Sequence, residues 1–325
     1  MNSDIDAITA SVKELYARLH AGALAANDTI DFNSVKVSNT EDYVERIYTD
    51  RGEFNRAFGK FGDAYDIFRG FGEDSIVLDV GAHWGYSAVA MRHQKCRAKI
   101  VSIEAMSFNM PPLNRLKRIE SGNYDCINIA ANARNAVLTF YVPVVNGYAI
   151  TGLASTGSTL DNYFAFLVAD QVSHYPNEKP SGANDIRLAI VSVQSAPIDW
   201  ILSHYLNDPR PVAAIKLDVE GHEAAALQGA TKLFAEQKPL LMLENANRDR
   251  AAVEVMLSHG YFHTERSDGQ LITQTGFSYA NDGYWISRDR VAEYRAIGIF
   301  TGNVPTVEEA SIPIEQKWNA QDGFA

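Results

Sequence analysis

The sequence predicts an α/β fold built on a doubly wound, mostly parallel sheet, and three observations carry that expectation. Short apolar runs suited to buried strands recur at 76–80, 99–104, 125–130, 212–218 and 240–245. Helical patterns separate them, and such alternation predicts parallel β-α-β units. The first run also breaks at a glycine and opens straight into a helix, so a ligand is expected beyond the carboxyl ends of the strands.

The central stretch is Ser75-Ile76-Val77-Leu78-Asp79-Val80-Gly81-Ala82-His83-Trp84-Gly85-Tyr86. Gly81 and Gly85 let the backbone turn sharply and come close to a ligand. The helix that follows, 86–93, offers N–H groups at its start. Asp79 sits at the strand end, where a carboxylate can accept from an amine or hydroxyl. The next strand, Lys99-Ile100-Val101-Ser102-Ile103-Glu104, ends in an acid roughly 20 residues after the glycines, where a carboxylate can hold both hydroxyls of a ribose.

The other elements follow in order. Residues 1–30 read as a helix, with Ile5, Ile8, Val12, Leu15, Tyr16 and Leu19 at helical spacing. A second helix starts near Thr40, a suitable N-cap with acids in the first turn. A third, 54–71, carries the stripe Phe54, Phe58, Phe61, Tyr65, Ile67 and Phe68, best explained by packing against the sheet. A helix over 109–120 precedes the strand at 125–130. The pattern then pauses from 136 to 195: a strand at 136–142, a polar stretch, a helix at 160–172, a Pro- and Gly-containing loop, and a strand at 186–193. This is an insertion, which either covers a ligand as a lid or decorates the surface. Helices at 197–205, 222–234 and 248–259 flank the strands at 212–218 and 240–245. Segments 261–266 and 284–287 form a closing antiparallel pair, bringing the main sheet to seven strands. The expected organisation is an N-terminal helical extension (1–71), a ligand-binding domain (72–290, insertion 136–195) and a tail (291–325).

At 325 residues with 46% apolar content the chain can bury a full core. Its net charge of −11, from 29 basic and 40 acidic residues, weighs against nucleic acid and against an anionic membrane surface. Cys96 and Cys126 are too few for a disulfide framework and read as small residues in or near the core. No leader pattern or membrane-length apolar run is visible, which makes the cytoplasm the default expectation. Assembly as a homo-oligomer stays open.

The glycine spacing argues against a dinucleotide, because no glycine stands two after Gly81. Asp79-x-Gly81-x-x-x-Gly85 followed by a strand-ending acid looks instead like S-adenosylmethionine (SAM) binding in class I methyltransferases. A second block is more specific: Ile215-Lys216-Leu217-Asp218-Val219-Glu220-Gly221-His222-Glu223, then Leu227-Gln228-Gly229-Ala230. Both blocks resemble the signature of FkbM-type methyltransferases, although asparagine is usual where His83 stands. Glu104, Asn128-Ile129-Ala130-Ala131 and Pro197-Ile198-Asp199-Trp200 fit in order, and the resemblance spans 72–290. It implies a Rossmann-like, SAM-dependent methyltransferase, usually of a hydroxyl on a sugar or secondary metabolite.

On that resemblance, Asp79 holds the amino-acid part of SAM beside Gly81, Ala82, His83, Gly85 and Tyr86. Glu104 holds the ribose, and Ala131 and Asn132 meet the adenine edge. Asp218, Glu220, His222, Glu244 and Asn245 fall on the acceptor side. His222 is the leading general base, because imidazole titrates near neutrality; His83 is the alternative, and Asp218 and Glu220 are supporting carboxylates. Asp218, Glu244 and Asn245 offer three oxygen donors suited to Mg²⁺ or Ca²⁺. Against a metal, Glu220 and Glu223 complement a helix start, and Asn245 suits a helix cap. Lys216, two before Asp218, shares its strand face and pairs with a carboxylate. Two other classes remain: a nicotinamide-dependent oxidoreductase, and a fold that binds SAM without turnover and serves a partner.

Overall fold

A computed structural model describes residues 2–37, 40–156, 185–244, 250–273 and 282–306. The chain forms two compact units. One comprises Met1–Asn39, Ala136–Gln194 and Val219–His222; the other comprises Thr40–Asn135, Ser195–Asp218 and Glu223–Ala325. The stretch 1–71, read from sequence as one extension, therefore contributes to both units, and most of the 136–195 insertion groups with residues 1–39.

In the first unit, helix Asn2–His20 buries Ile8, Val12, Leu15 and Tyr16 against Val145, Ile150, Leu153 and Leu188. These positions share one helix face. The helix was expected to run to residue 30 but stops at His20. Gly22 adopts φ 65°, and the N–H of Ala23 turns back to the carbonyl of Arg18, a Schellman-type ending. Thr29–Ile30 pairs in parallel with Leu188 and Ala189 of the strand Ile186–Ala196. Ala136–Val145 and Tyr148–Ala149 form a hairpin through Asn146-Gly147, both at positive φ (52° and 81°), as a two-residue Asn-Gly turn requires. The expected helix at 160–172 and the loop after it lie outside the described residues.

The second unit is built on an eight-stranded sheet. Its strands are β1 (Ile76–Val80), β2 (Lys99–Glu104), β3 (Tyr124–Asn128), β4 (Val212–Leu217), β5 (Leu240–Glu244), β6 (Tyr261–Ser267), β7 (Gln270–Thr273) and β8 (Asp282–Ser287). The order is β7-β6-β8-β5-β4-β1-β2-β3. The five strands β5-β4-β1-β2-β3 are parallel, and β8, β6 and β7 add on antiparallel. The sheet has one strand more than the seven expected from sequence, and that strand is β7. The signal was present: Asp268 and Gly269 sit at φ 48° and 77°, and Asp-Gly is a strong hairpin dipeptide.

Apart from Asp79 and Lys216, β1 and β4 are apolar throughout because they are buried on both faces, as parallel strands covered by helices must be. The chain leaves β1 toward β2 and β3 on one side, then returns to β4 on the other. The switch point thus falls between β1 and β4, the place on the carboxyl edge where sheets of this kind bind ligands.

Several helices differ from expectation. The third splits into a helix Arg51–Phe58 and a 3₁₀ stretch Gly59–Gly70, because Gly59 turns the chain at φ 52°. Phe54, Tyr65, Ile67 and Phe68 of its stripe are core residues, which supports the packing reading. Thr40 stands at its helix start but makes no side-chain cap. The 222–234 helix is two helices, Glu223–Gln228 and Thr231–Glu236, separated at Gly229-Ala230. A short helix, Val291–Ala296, was not foreseen in the tail. Cys96 is buried and Cys126 half-buried, and both are free thiols. No helix among the described residues is long and apolar enough to cross a membrane.

Candidate active site

The glycine turn leaves β1 and is stitched to the end of β2. The N–H groups of Gly81 and Ala82 donate to the Ile103 carbonyl at 2.9 and 3.4 Å, and the His83 N–H donates to Glu104 Oε2 at 2.8 Å. Gly81, His83 and Gly85 sit at φ 76°, 51° and 95°. An asparagine enters the left-handed region readily; the histidine here adopts the same backbone. Gly85 has a reason that sequence did not supply. A Cβ there would lie 2.6 Å from Leu116 Cδ1 and 3.0 Å from Leu113 Cδ2. Its small size serves contact with helix Met110–Glu120.

Glu104 is the anchor of the turn. Oε2 takes the His83 N–H, while Oε1 accepts from the Met106 N–H at 2.8 Å and from Asn109 Nδ2 at 3.1 Å. Burial outweighs these donors and pushes the carboxyl up to about 7. Asn128, at the end of β3, donates to the carbonyls of Glu104 and Ala105 at 2.9 and 3.0 Å and fixes the strand end.

Asp79 is fully buried. Its Oδ2 accepts from Ser87 Oγ at 2.6 Å and from Ser102 Oγ at 3.2 Å. Its Oδ1 has no hydrogen-bond partner and faces Lys216 Nζ at 3.7 Å. Asp79 and Lys216 are register partners across β1 and β4. Lys216 is itself buried, donating to the Gly81 carbonyl at 3.0 Å and pairing with Asp218 Oδ2 at 3.1 Å. Burial opposes its charge, but Asp218 and Asp79 outweigh burial and hold the ammonium above its ordinary pKa. Burial likewise raises Asp218, but Lys216 and a hydrogen bond with Glu244 leave it below the usual carboxylate range. A carboxylate–carboxylate bond of this kind needs one shared proton. His83 faces Asp218 and Lys216, and burial pushes its imidazole down to about 4, so it is neutral at pH 7.

Aromatic rings wall this turn. Trp84 lies 5.5 Å from Tyr43, 5.9 Å from Phe58 and 5.7 Å from Tyr86, and Phe58 stacks on Tyr86 at 5.5 Å. The Tyr86 hydroxyl bonds with Tyr65, and burial raises its pKa.

Residues 79–275, well over half of the chain, match the methyltransferase FkbM domain. The chain belongs to the FkbM methyltransferase family. It is similar to the FkbM methyltransferase of Methylobacillus flagellatus KT, with 18% identity and a TM-score of 0.39, over 66% of this chain and 44% of that one. This chain therefore spans less than half of that relative. It is also similar to an O-methyltransferase of Bacillus cereus in complex with SAH (12% identity, TM-score 0.31, 85% and 89% of the two chains). A third is the O-methyltransferase TomG of Streptomyces achromogenes, involved in tomaymycin synthesis, in complex with SAM (11% identity, TM-score 0.30, 78% and 92%). No curated protein matches the chain.

The second signature block of the family has structural reasons. Gly229 is the point where a Cβ would lie 2.1 Å from the Asn132 carbonyl oxygen and 2.9 Å from Pro197 Cα. Asp199, in the Pro197–Trp200 segment, accepts from the N–H groups of Lys232 and Leu233 at 2.8 and 3.0 Å. It caps helix Thr231–Glu236 from a distance in sequence.

Other expected site residues fall as follows. Asn132 is buried, with Nδ2 donating to Ser195 Oγ at 3.0 Å and Oδ1 accepting from the Ala133 N–H at 2.8 Å; Ala131 pairs with Ala196. Glu220 and His222 belong to the first unit. There Glu220 sits at φ 51° and its carbonyl accepts from Ser155 Oγ at 3.3 Å. Burial lowers the His222 pKa. Asn245 lies outside the described residues. Asp79, expected to hold the amino-acid part of the cofactor, is fully buried with its carboxylate against Ser87, Ser102 and Lys216.

The Asp218 and Glu244 carboxylates come within 4.8 Å of each other, close enough to share a metal ion. The Lys216 ammonium already stands against Asp218, and a second cation there would meet like-charge repulsion in a desolvated setting.

Proposed function

We propose that this FkbM methyltransferase transfers the methyl group of SAM to a hydroxyl oxygen of a small acceptor, with sugars and secondary metabolites the first candidates. One observation supports the cofactor most: a buried acid at the end of β2, bonded to the glycine turn at the switch point. A carboxylate in that place accepts from the two hydroxyls of a ribose. Bound SAM supplies an electrophilic methyl group. The chain's own work is to hold it, align the acceptor and take up the hydroxyl proton. The backbone from Gly81 to Tyr86 cradles the amino-acid portion, with Asp79 fixing that backbone from below. Ala131 and Asn132 border the adenine. His222, neutral at pH 7, is competent to accept the proton; Asp218 and Glu220 are the carboxylate alternatives. A net charge of −11 favours a small acceptor over nucleic acid.

Calorimetric titration with SAM and S-adenosylhomocysteine (SAH), with NADH as control, tests the cofactor. Micromolar binding of the adenosyl ligands alone is expected, followed by methyl transfer in an acceptor screen. Binding of NADH instead, or SAM binding without turnover on any acceptor, overturns the corresponding half of the proposal.

The pH dependence of SAH affinity is a sharper check. Burial favours the protonated form of Glu104, whereas ribose hydroxyls donate to the ionised form, so binding below about pH 7 must release a proton. Affinity should fall as pH drops through about 7, by up to roughly tenfold per unit. Glu104→Gln should flatten that slope, and a wild-type slope that stays flat would remove Glu104 from the ribose.

A further inference from the structure

Lys216 is an anomaly on its strand. The other residues of β4 are Val212, Ala213, Ala214, Ile215 and Leu217, all apolar and buried, and an apolar side chain in place of the lysine would avoid the cost of desolvating an ammonium. Its contacts show what the charge is for. It reaches across the switch point from β4 to the turn that follows β1, ending 3.0 Å from the Gly81 carbonyl. It also stands 3.1 Å from Asp218 and 3.7 Å from Asp79 Oδ1, the buried oxygen with no hydrogen-bond partner. Two carboxylates and one backbone dipole therefore converge on one cation.

We propose that Lys216 is a positioning residue and the resident cation of the methyl-transfer site, fixing the cofactor turn through Gly81 and holding Asp79 and Asp218 where a divalent ion would otherwise be needed. The inference rests on the SAM-dependent reading above. The logic is one of rigidity. Gly81 is at φ 76° in a turn of small residues, and the free carbonyl of such a turn gains a defined direction from a charge-assisted bond. The carboxylates Asp79 and Asp218 would repel each other without the ammonium between them. Because Lys216 lies beneath the turn, it acts through Gly81 and touches neither the methyl group nor the acceptor.

The test uses the full chain after chelation of metals, as wild type and as Lys216→Met, which keeps the apolar stem and removes the charge. Calorimetry reads SAH affinity, and electron paramagnetic resonance reads Mn²⁺ binding. Wild type should bind SAH equally with and without chelator and leave Mn²⁺ free. Lys216→Met should lose at least about tenfold in SAH affinity, and it should gain Mn²⁺ binding at the carboxylates left without their cation. A merely structural lysine would not produce that gain. Mn²⁺ bound by wild type, displaced by Asp218→Asn, would overturn the proposal without recourse to Lys216→Met, so a variant that fails to fold does not shield it. SAH bound as tightly by a folded Lys216→Met as by wild type would also overturn it. Failure of wild type to bind SAH sinks the cofactor reading itself, whereas the Mn²⁺ measurement stands independently of SAM.

Discussion

Glu104→Ala is expected to abolish detectable SAH binding, a loss of about a hundredfold or more, and to lower the melting temperature as well. The two effects have one cause. The carboxylate is the shared acceptor for the backbone N–H groups of His83 and Met106 and for Asn109 Nδ2. Removing it leaves these donors unsatisfied in a buried place, at about 1–3 kcal/mol each where water does not replace the acceptor. It also detaches the glycine turn from the end of β2 and removes the group proposed for the ribose. Glu104→Gln separates the effects: it keeps an acceptor oxygen and the side-chain volume, so it should melt closer to wild type while still binding SAH more weakly. Calorimetry and thermal denaturation on the three proteins decide the matter, and normal SAH affinity in Glu104→Ala would rule out the cofactor site described here.

Gly229→Ala is expected to be among the most destabilising single methyl additions in the chain. The added Cβ would lie 2.1 Å from the Asn132 carbonyl oxygen and 2.9 Å from Pro197 Cα, and both are backbone atoms. Neither can swing aside as a side chain can. Relief requires moving the loop at Asn132 or the junction of helices Glu223–Gln228 and Thr231–Glu236, which Asp199 and the Asp199 N–H to Gly229 carbonyl bond hold in place. A loss of about 3 kcal/mol or more follows from overpacking of that severity. Gly85→Ala is a useful comparison: it meets two leucine methyls at 2.6 and 3.0 Å and carries φ 95°. Leucines can repack, so roughly 2–4 kcal/mol is expected there from strain and crowding together. Urea denaturation of both variants gives the ranking, and a Gly229→Ala loss under about 1 kcal/mol would contradict the backbone approach.

The parallel core was legible because its cause is local. Strands buried on both faces are mostly apolar, and β1, β2, β4 and β5 announce themselves as short, largely apolar runs bounded by polar turns. The glycine turn and the acid ending β2 were legible for the same reason, since a sharp strand-to-helix turn demands glycine within a few residues. The hairpin that adds β7 is also written locally, in Asp268-Gly269.

The tertiary structure decided what depends on residues far apart in sequence. Helix Asn2–His20 and the 136–194 segment pack in one unit, and no periodicity reveals which segments share a core. The end of the 222–234 helix depends on Asp199 and Asn132, from other parts of the chain. The full burial of Asp79 came only once Ser87, Ser102 and Lys216 closed around it. Lys216 itself could be seen in the sequence as a charge on a strand, but its direction toward Gly81 could not. By itself the sequence determined the fold class, the family and the chemical character of the carboxyl edge, because hydrophobic period and turn chemistry act between near neighbours. Which carboxylates are buried, and which cation stands beside them, were settled by burial and register across strands, and those arise only when distant segments pack.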